Sequence, residues 1–100
     1  MRKLAWDSSF RQAFKRQTRR DRILQERIFD VLDQLARNPL LPTLKTHKLS
    51  GQLQGLWACW VEYDCRIIFA FPKRLSVETE PQTGEESIVL IDLGTHAEVY

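Results

Sequence analysis

Five polar side chains could carry acid–base or anion chemistry: His47, Asp64, Arg66, His96 and Tyr100. Histidine gains and loses a proton near neutral pH, so it can serve as a general acid or a general base. An arginine guanidinium binds phosphate or carboxylate, an aspartate can orient an imidazole, and a tyrosine ring can stack on a flat ligand. Each residue also has a simpler explanation as a turn, ion-pair or exposed surface residue. Their meaning depends on whether the fold brings them together.

The first half of the chain is predicted to form a short strand and two helices. Residues 3–6 are expected to be an edge strand, and Asp7, Ser8 or Ser9 can cap a first helix whose buried side begins at Phe10. The chain is expected to turn near Asp21, where apolar residues are missing. A second helix is predicted from about 22 to 37, because apolar residues recur there at helical spacing and a proline follows.

The second half of the chain changes to the period of β-strands. The predicted strands cover residues 56–62, 65–71 and 87–93. Tyr63 and Asp64 suit a two-residue turn, which would pair Val61 with Arg66. The face expected to lie under the helices then carries Ala58, Trp60, Ile67, Phe69 and Phe71. The opposite face then carries Trp57, Cys59, Val61, Arg66, Ile68 and Ala70.

The order of elements predicts an α+β fold in a single domain over residues 1–100. An N-terminal strand and a two-helix hairpin precede an antiparallel sheet of about three further strands, with the helices on one face. Hydrophobic residues make up 43% of the chain and charged residues 28%, which excludes a disordered protein. The apolar runs are too short to cross a membrane, and Asp7 interrupts any signal peptide, so a cytoplasmic location is expected.

The two cysteines, Cys59 and Cys65, are expected to be reduced and buried. Small secreted domains usually have more cysteines, and the predicted register places these two on different rungs of the hairpin. No metal-ligand spacing, P-loop or dinucleotide fingerprint occurs in the sequence. We therefore expect neither a metal nor a cofactor.

Charge is unevenly distributed along the chain. Residues 1–50 have 12 Lys and Arg against 5 Asp and Glu, whereas residues 51–100 have 3 against 8. In the first helix Arg11, Lys15 and Arg19 recur at intervals of four and lie on one face. Such a stripe attracts polyanions, although it could also be no more than a solvated surface.

Several short motifs, taken in order, resemble the bacterial RelE/ParE toxin superfamily. They are the His-Lys-Leu-Ser-Gly stretch at 47–51, the Gly-Leu-Trp at 55–57, the strand pair at 61–69 and the ending at 94–100. The resemblance extends over the whole chain and is strongest to the RelE and YafQ branch. It implies a RelE-like fold and the activity of a ribosome-dependent mRNA endoribonuclease.

The YafQ-like pattern assigns functional roles to particular residues. His47, Asp64, His96 and the aromatic Tyr100 match its positions, and Arg66 matches the strand arginine of RelE. Two positions depart from it, since Trp60 replaces a second histidine and Cys65 replaces an aromatic residue. The lysines of RelE on the first hairpin strand are also missing, at Trp57 and Cys59. A site built on histidines is therefore the version that the resemblance supports.

The resemblance implies a metal-independent cleavage of RNA. The 2′-hydroxyl would attack the adjacent phosphate and leave a 2′,3′-cyclic phosphate, with His47 and His96 dividing the roles of base and acid in an order that the sequence leaves open. Residues expected to contact ribosomal RNA or mRNA are Arg11, Lys15, Arg19, Lys45 and Lys48.

The resemblance also implies a small antitoxin as a protein partner, with the toxin a monomer inside a toxin–antitoxin hetero-oligomer and no contact with a membrane. Two alternatives remain open. A ParE-like member would inhibit DNA gyrase without cutting RNA. A member inactivated at Trp60 and Cys65 would bind RNA without cleaving it.

Overall fold

Two helices pack on one face of a five-stranded sheet in the computed structural model, which describes residues 2–72 and 87–95. The elements are β1 (Leu4–Trp6), α1 (Ser8–Thr18), α2 (Arg22–Arg37), β2 (His47–Lys48), β3 (Trp57–Glu62), β4 (Cys65–Ala70) and β5 (Ile88–Gly94). Two single turns of 3-10 helix, Pro42–Leu44 and Gly51–Leu53, flank β2. The strand order across the sheet is β1-β5-β4-β3-β2.

The predicted helices are confirmed, and aspartates cap both of them. Asp7 accepts a hydrogen bond from the backbone N–H of Ser9 at the start of α1, and Asp21 accepts one from Leu24 N–H at the start of α2. The Ser9 hydroxyl lies 2.6 Å from Oδ2 of Asp7 and 2.5 Å from the carbonyl oxygen of Ile91. It therefore links the first turn of α1 to the last strand of the sheet. This bonding lowers the pKa of the Asp7 carboxyl.

The antiparallel arrangement predicted for the strands after the helices is confirmed, and the N-terminal strand makes the whole sheet mixed. β2, β3, β4 and β5 are antiparallel neighbours, but β1 lies parallel to β5, with Leu4 opposite Ile88. The reason is topological: the helical hairpin carries the chain away after β1, and β5 later adds beside β1 in the same direction. The short β2 is not among the strands predicted from the sequence.

The predicted register of the β3–β4 hairpin is wrong beyond its first rung. Glu62 pairs with Cys65 as a two-residue turn requires, but a bulge at Val61 makes Trp60, and not Val61, the partner of Arg66. A shift of one residue moves every side chain of a strand to the other face. In β3 the residues buried under the helices are therefore Cys59 and Val61, whereas Ala58 and Trp60 lie on the opposite face.

The predicted faces of β4 are confirmed. Ile67 and Phe69 are completely buried in the cluster that includes Phe10, Ile28 and Leu35 of the helices. On the other face Ile68 packs with Ala58, Leu49 and Leu56 in a smaller cluster. No helix among the described residues is long and apolar enough to span a membrane.

Candidate active site

A cleft of about 640 Å³ opens beside the β3–β4 turn. Its lining comes from two segments, the chain leading into β2 and the β3–β4 hairpin: Lys45, His47, Trp60, Tyr63, Asp64 and Arg66. The one-residue bulge in β3 contributes directly to it, because it turns Trp60 toward the same face as Arg66. Three of the five predicted catalytic residues, His47, Asp64 and Arg66, thus share one cleft.

His47 begins β2, at the edge of the sheet, opposite Ala58 of β3. Its side chain is exposed, and its Nδ1 lies 3.0 Å from the carbonyl oxygen of Lys45. This contact joins two residues of one short segment, so the ring orientation depends on the local backbone. An imidazole in an open, charged cleft is suited to proton transfer at a bound ligand.

Lys45 has an unusual backbone for a residue with a side chain. Its φ of 50° lies in the left-handed region, where an L-residue other than glycine pays about 1–2 kcal/mol. Its N–H donates to the Pro42 carbonyl, which ends the 3-10 turn. Its ammonium Nζ lies 4.9 Å from the centre of the Trp60 ring, within the range of a cation–π interaction. Strained residues cluster at functional sites, and this one places a cation in the cleft.

Arg66 lines the cleft and also donates hydrogen bonds to the backbone of the hairpin turn. Its Nη1 donates to the carbonyl oxygens of Glu62 and Tyr63, both at 3.1 Å, and approaches that of Cys65 at 3.4 Å. These contacts bridge the backbone on both sides of the hairpin turn. A guanidinium has five N–H groups, and within residues 2–72 and 87–95 only Nη1 meets acceptors, so Nε and Nη2 could donate to an anion.

The turn itself projects two polar side chains into the cleft. Asp64 is exposed, and Tyr63 is 89% exposed, which is unusual for a large aromatic side chain. The cations of Lys45 and Arg66 outnumber the carboxylate of Asp64, so the cleft favours an anionic ligand. Exposed aromatic rings next to cations are typical of sites that bind single-stranded nucleic acid.

His96 and Tyr100 lie outside the described residues, and their predicted roles stay predictions. The last described strand ends at Gly94, whose register partner is Arg66. His96 follows Gly94 by two residues in the sequence. The chain therefore leaves the sheet at the strand position that also carries the guanidinium of the cleft.

The predicted RNA-binding residues fall into three places. Lys45 lies in the cleft, whereas Arg11, Lys15 and Arg19 are exposed along α1 and its end. Lys15 and Arg19 line, with Arg16, a groove of about 320 Å³. Lys48 instead lies over the Trp57 ring, with Nζ at 5.4 Å from its centre, in a separate pocket.

The sequence prediction missed two aromatic residues of the cleft. The sequence analysis considered Trp60 only as a replacement for a histidine of the family pattern, and it considered Tyr63 only as a turn residue. An aromatic residue in a two-residue turn has no core to enter, and this was the available indication for Tyr63. Nothing in the local pattern indicated Trp60, because its face depends on the bulge.

The cysteines are free and buried, as predicted. Burial, with a contribution from the neighbouring Cys65, raises the pKa of Cys59 to about 12. A thiol that stays protonated in the core is not a nucleophile. Among residues 2–72 and 87–95, no group of three or more His, Cys, Asp or Glu side chains could hold a metal ion.

Solved structures share this fold. The YoeB/ParE toxin from Agrobacterium tumefaciens matches with a TM-score of 0.72 and 20% identity, over 94% of this chain and 98% of that one. YafQ in the E. coli DinJ–YafQ complex matches with 0.72 and 19%, over 100% and 99%. A metal-bound toxin from Helicobacter pylori matches with 0.72 and 24%, over all of both chains. Among curated proteins, a sequence search finds no match.

The family comparison covers nearly the whole sequence. The family described as "Bacterial toxin of type II toxin-antitoxin system, YafQ" matches residues 2–100. The mixed sheet and the two helices agree with the toxin structures. The chain therefore belongs to the YafQ family of toxins from bacterial type II toxin–antitoxin systems.

Proposed function

We propose that this toxin is a ribosome-dependent endoribonuclease that cuts mRNA and thereby stops translation. The observation that supports this proposal most directly is the cleft in which His47, Asp64 and Arg66 meet Lys45. A phosphodiester is an anion whose charge rises during cleavage, and the cleft presents two cations and an imidazole to it. Trp60 and Tyr63 offer ring surfaces to the flanking bases.

The proposed reaction uses histidines, and not a metal, for its proton transfers. The 2′-hydroxyl gives its proton to one histidine and attacks the adjacent phosphorus, while the bond to the 5′-oxygen breaks. That oxygen takes a proton from a second group, and a 2′,3′-cyclic phosphate remains. His47 and His96 fill these roles, Arg66 stabilises the phosphoryl oxygens, Asp64 orients an imidazole and Tyr100 stacks on a base.

The basic surface of α1 would supply affinity for the ribosome. Arg11, Lys15 and Arg19 are exposed there and can neutralise phosphates of ribosomal RNA without selecting a sequence. The double variant Lys15→Glu with Arg19→Glu should lose ribosome binding in sedimentation assays, and wild-type binding should weaken as salt rises. A matched control is Lys3→Glu with Arg37→Glu, which changes the net charge equally at exposed sites elsewhere.

An antitoxin protein would hold the toxin inactive. The YafQ of the DinJ–YafQ structure is bound to such a partner, and it shares this fold over its whole length. The excess of basic residues in the first half of the chain suits an acidic or amphipathic segment of that partner.

The decisive experiment is inducible expression in bacteria with mapping of mRNA 5′ ends. Wild type should arrest growth and produce cuts in translated frames, whereas His47→Ala and His96→Ala should each lose about 10²–10⁴-fold in cleavage rate. Lys3→Ala, at an exposed position just before the first strand, is the control and should cut normally. Growth arrest with intact transcripts and trapped gyrase–DNA complexes would replace the nuclease by the ParE-like alternative.

A catalytically inactive RNA-binding toxin predicts a third result. It would associate with ribosomes and leave both mRNA and gyrase untouched. Purified toxin incubated with ribosomes on a defined message separates these outcomes, because binding and cleavage are measured in the same sample.

A further inference from the structure

A second cavity of about 640 Å³ opens at the loop between β2 and β3, at the end of β3 opposite the hairpin turn. Its lining includes a cation, an aromatic ring, two glycines and two uncharged polar side chains: Lys48, Trp57, Gly51, Gly55, Ser50 and Gln54. No carboxylate of the described residues lines this loop pocket, so its charge favours an anion.

The two polar side chains of the loop pocket are available to a ligand. Ser50 and Gln54 are exposed, and among the described residues the Ser50 hydroxyl and the Gln54 carboxamide make no hydrogen bond. Backbone hydrogen bonds close the loop instead, because Leu49 N–H donates to the Leu56 carbonyl at 2.9 Å and Gln54 N–H donates to the Gly51 carbonyl at 3.1 Å. The Gln54 carboxamide has donors and an acceptor, which suit the edge of a nucleobase.

Two glycines leave the wall of the loop pocket uncovered. Gly51 has a φ of +66° and Gly55 a φ of +95°, in the region that favours glycine. A Cβ built on either residue meets no described atom within 4 Å. The backbone conformation, and not crowding, therefore selects glycine, and the missing side chains let a flat ligand approach the peptide planes.

Lys48 supplies the positive charge of the loop pocket. Its Nζ lies 5.4 Å from the centre of the Trp57 ring, and that ring packs edge to face on Phe71 with centres 5.5 Å apart. Lys48 follows His47 in β2, which is an edge strand of the sheet, and successive strand residues point to opposite faces. The cleft and the loop pocket thus lie on the two sides of one sheet edge.

We propose that the loop pocket binds a nucleotide of the mRNA that neighbours the nucleotides in the cleft. Its phosphate contacts Lys48, and its base lies against the glycine loop, with Gln54 at the base edge. This inference rests on the proposed nuclease function. Trp57 borders the loop pocket and Trp60 the cleft, and they are three residues apart in β3, or about 10 Å along the strand. Neighbouring nucleotides of one RNA strand that crosses the edge at β2 span that distance.

The phosphate contact is tested by binding of the full-length toxin to single-stranded hexamers of adenylate, cytidylate or uridylate. Their 2′-methoxy groups prevent cleavage. Lys48→Gln should weaken binding of all three hexamers and lower the slope of log K against log salt by about 0.7, the value for one phosphate on a single strand. Lys3→Gln removes the same charge at an exposed position outside the loop pocket and should keep the wild-type slope.

The base contact is tested with the same hexamers. Wild type should prefer one of them by about 5-fold or more, and Gln54→Ala should abolish this preference without changing the salt slope. Gln52→Ala makes the same change at an exposed position of the same loop that does not line the pocket, and it should bind as wild type does. On translating ribosomes, Gln54→Ala should also change which bases flank the mapped cuts.

Equal behaviour of Gln54→Ala and Gln52→Ala, or of Lys48→Gln and Lys3→Gln, would overturn the inference. Altered hexamer binding with unchanged cut sites would place ribosomal RNA in the loop pocket and overturn the assignment to mRNA. A toxin that binds the hexamers through Lys48 and Gln54 but cuts no message would overturn the proposed function and leave the nucleotide pocket standing.

Discussion

Arg66→Lys should weaken both the fold and the reaction, and the structure lets the two losses be estimated separately. Nη1 makes two hydrogen bonds at 3.1 Å and one marginal contact at 3.4 Å to the carbonyls around the turn. Each such bond contributes about 0.5–1.5 kcal/mol net, and partly exposed carbonyls return to water when the donor is lost. A lysine keeps the charge but has no planar fork that can span the turn. We therefore expect a loss of about 1–2 kcal/mol in the free energy of unfolding.

Urea titration followed by tryptophan fluorescence measures this loss, and thermal unfolding gives a second value. A loss of that size lowers the Tm of a 100-residue protein by roughly 4–16 °C. The control is Arg27→Lys, which changes the same residue type at the exposed ion pair between Arg27 and Glu62, at 3.4 Å. Exposed pairs contribute about 0–1 kcal/mol, so this variant should unfold almost as wild type does.

Cleavage by Arg66→Lys, measured at temperatures where it stays folded, should fall about 10–100-fold, because a bidentate contact to the phosphate is lost. Unchanged unfolding in urea would show that the carbonyl contacts do not hold the turn. A destabilised variant with wild-type cleavage would make Arg66 a structural residue and remove it from the proposed site.

Three further outcomes follow from the core and the caps. Asp7→Asn should lower the free energy of unfolding above the ordinary aspartate pKa of 3.8, because the Asp7 carboxyl has a lowered pKa in the folded protein. The difference from wild type should vanish as the pH falls through the folded-state pKa, which urea titrations at several pH values can measure. Cys59, with a pKa raised to about 12, should resist iodoacetamide at pH 8 until the protein unfolds, as mass spectrometry can follow. Phe10→Ala should lower the free energy of unfolding by about 3–5 kcal/mol, because the Phe10 ring is buried and its centre lies 4.9 Å from that of the Trp6 ring in an edge-to-face contact. A loss under about 1 kcal/mol would contradict this packing.

Local patterns in the sequence were sufficient for the helices and most strands. The second helix runs over Arg22–Arg37 as predicted, because its apolar stripe, its aspartate cap and the proline after it all act within a few residues. The parallel position of β1 was not predictable in the same way. It depends on which strand edge remains open once the hairpin has formed, and that is a property of the assembled sheet.

The site was predictable in its residue types but not in its full membership. His47, Asp64 and Arg66 were found through their chemistry and a family resemblance, and the cleft brings them together. Lys45 was expected only as a contact to RNA. Its left-handed backbone conformation could not be predicted from the sequence, because glycine or asparagine is the usual residue in that conformation. Its neighbours are fixed on both sides, because Leu44 is buried in the core and the Thr46 hydroxyl donates to the Pro39 carbonyl, and only the tertiary structure shows these contacts.

The bulge in β3 decides which of its residues enter the core and which line the cleft. In an unbroken hairpin Val61 would lie opposite Arg66, and Trp60 would enter the core beneath the helices. With the extra residue, Val61 is buried, and Trp60 lies opposite Arg66 and under the Lys45 ammonium. The inserted residue thus places the ring of Trp60, and not the side chain of Val61, opposite Arg66 at the proposed phosphate site. The tryptophan that stands where the family pattern has a histidine is therefore a lining residue of the cleft, and under the proposed mechanism proton transfer is assigned to His47 and His96.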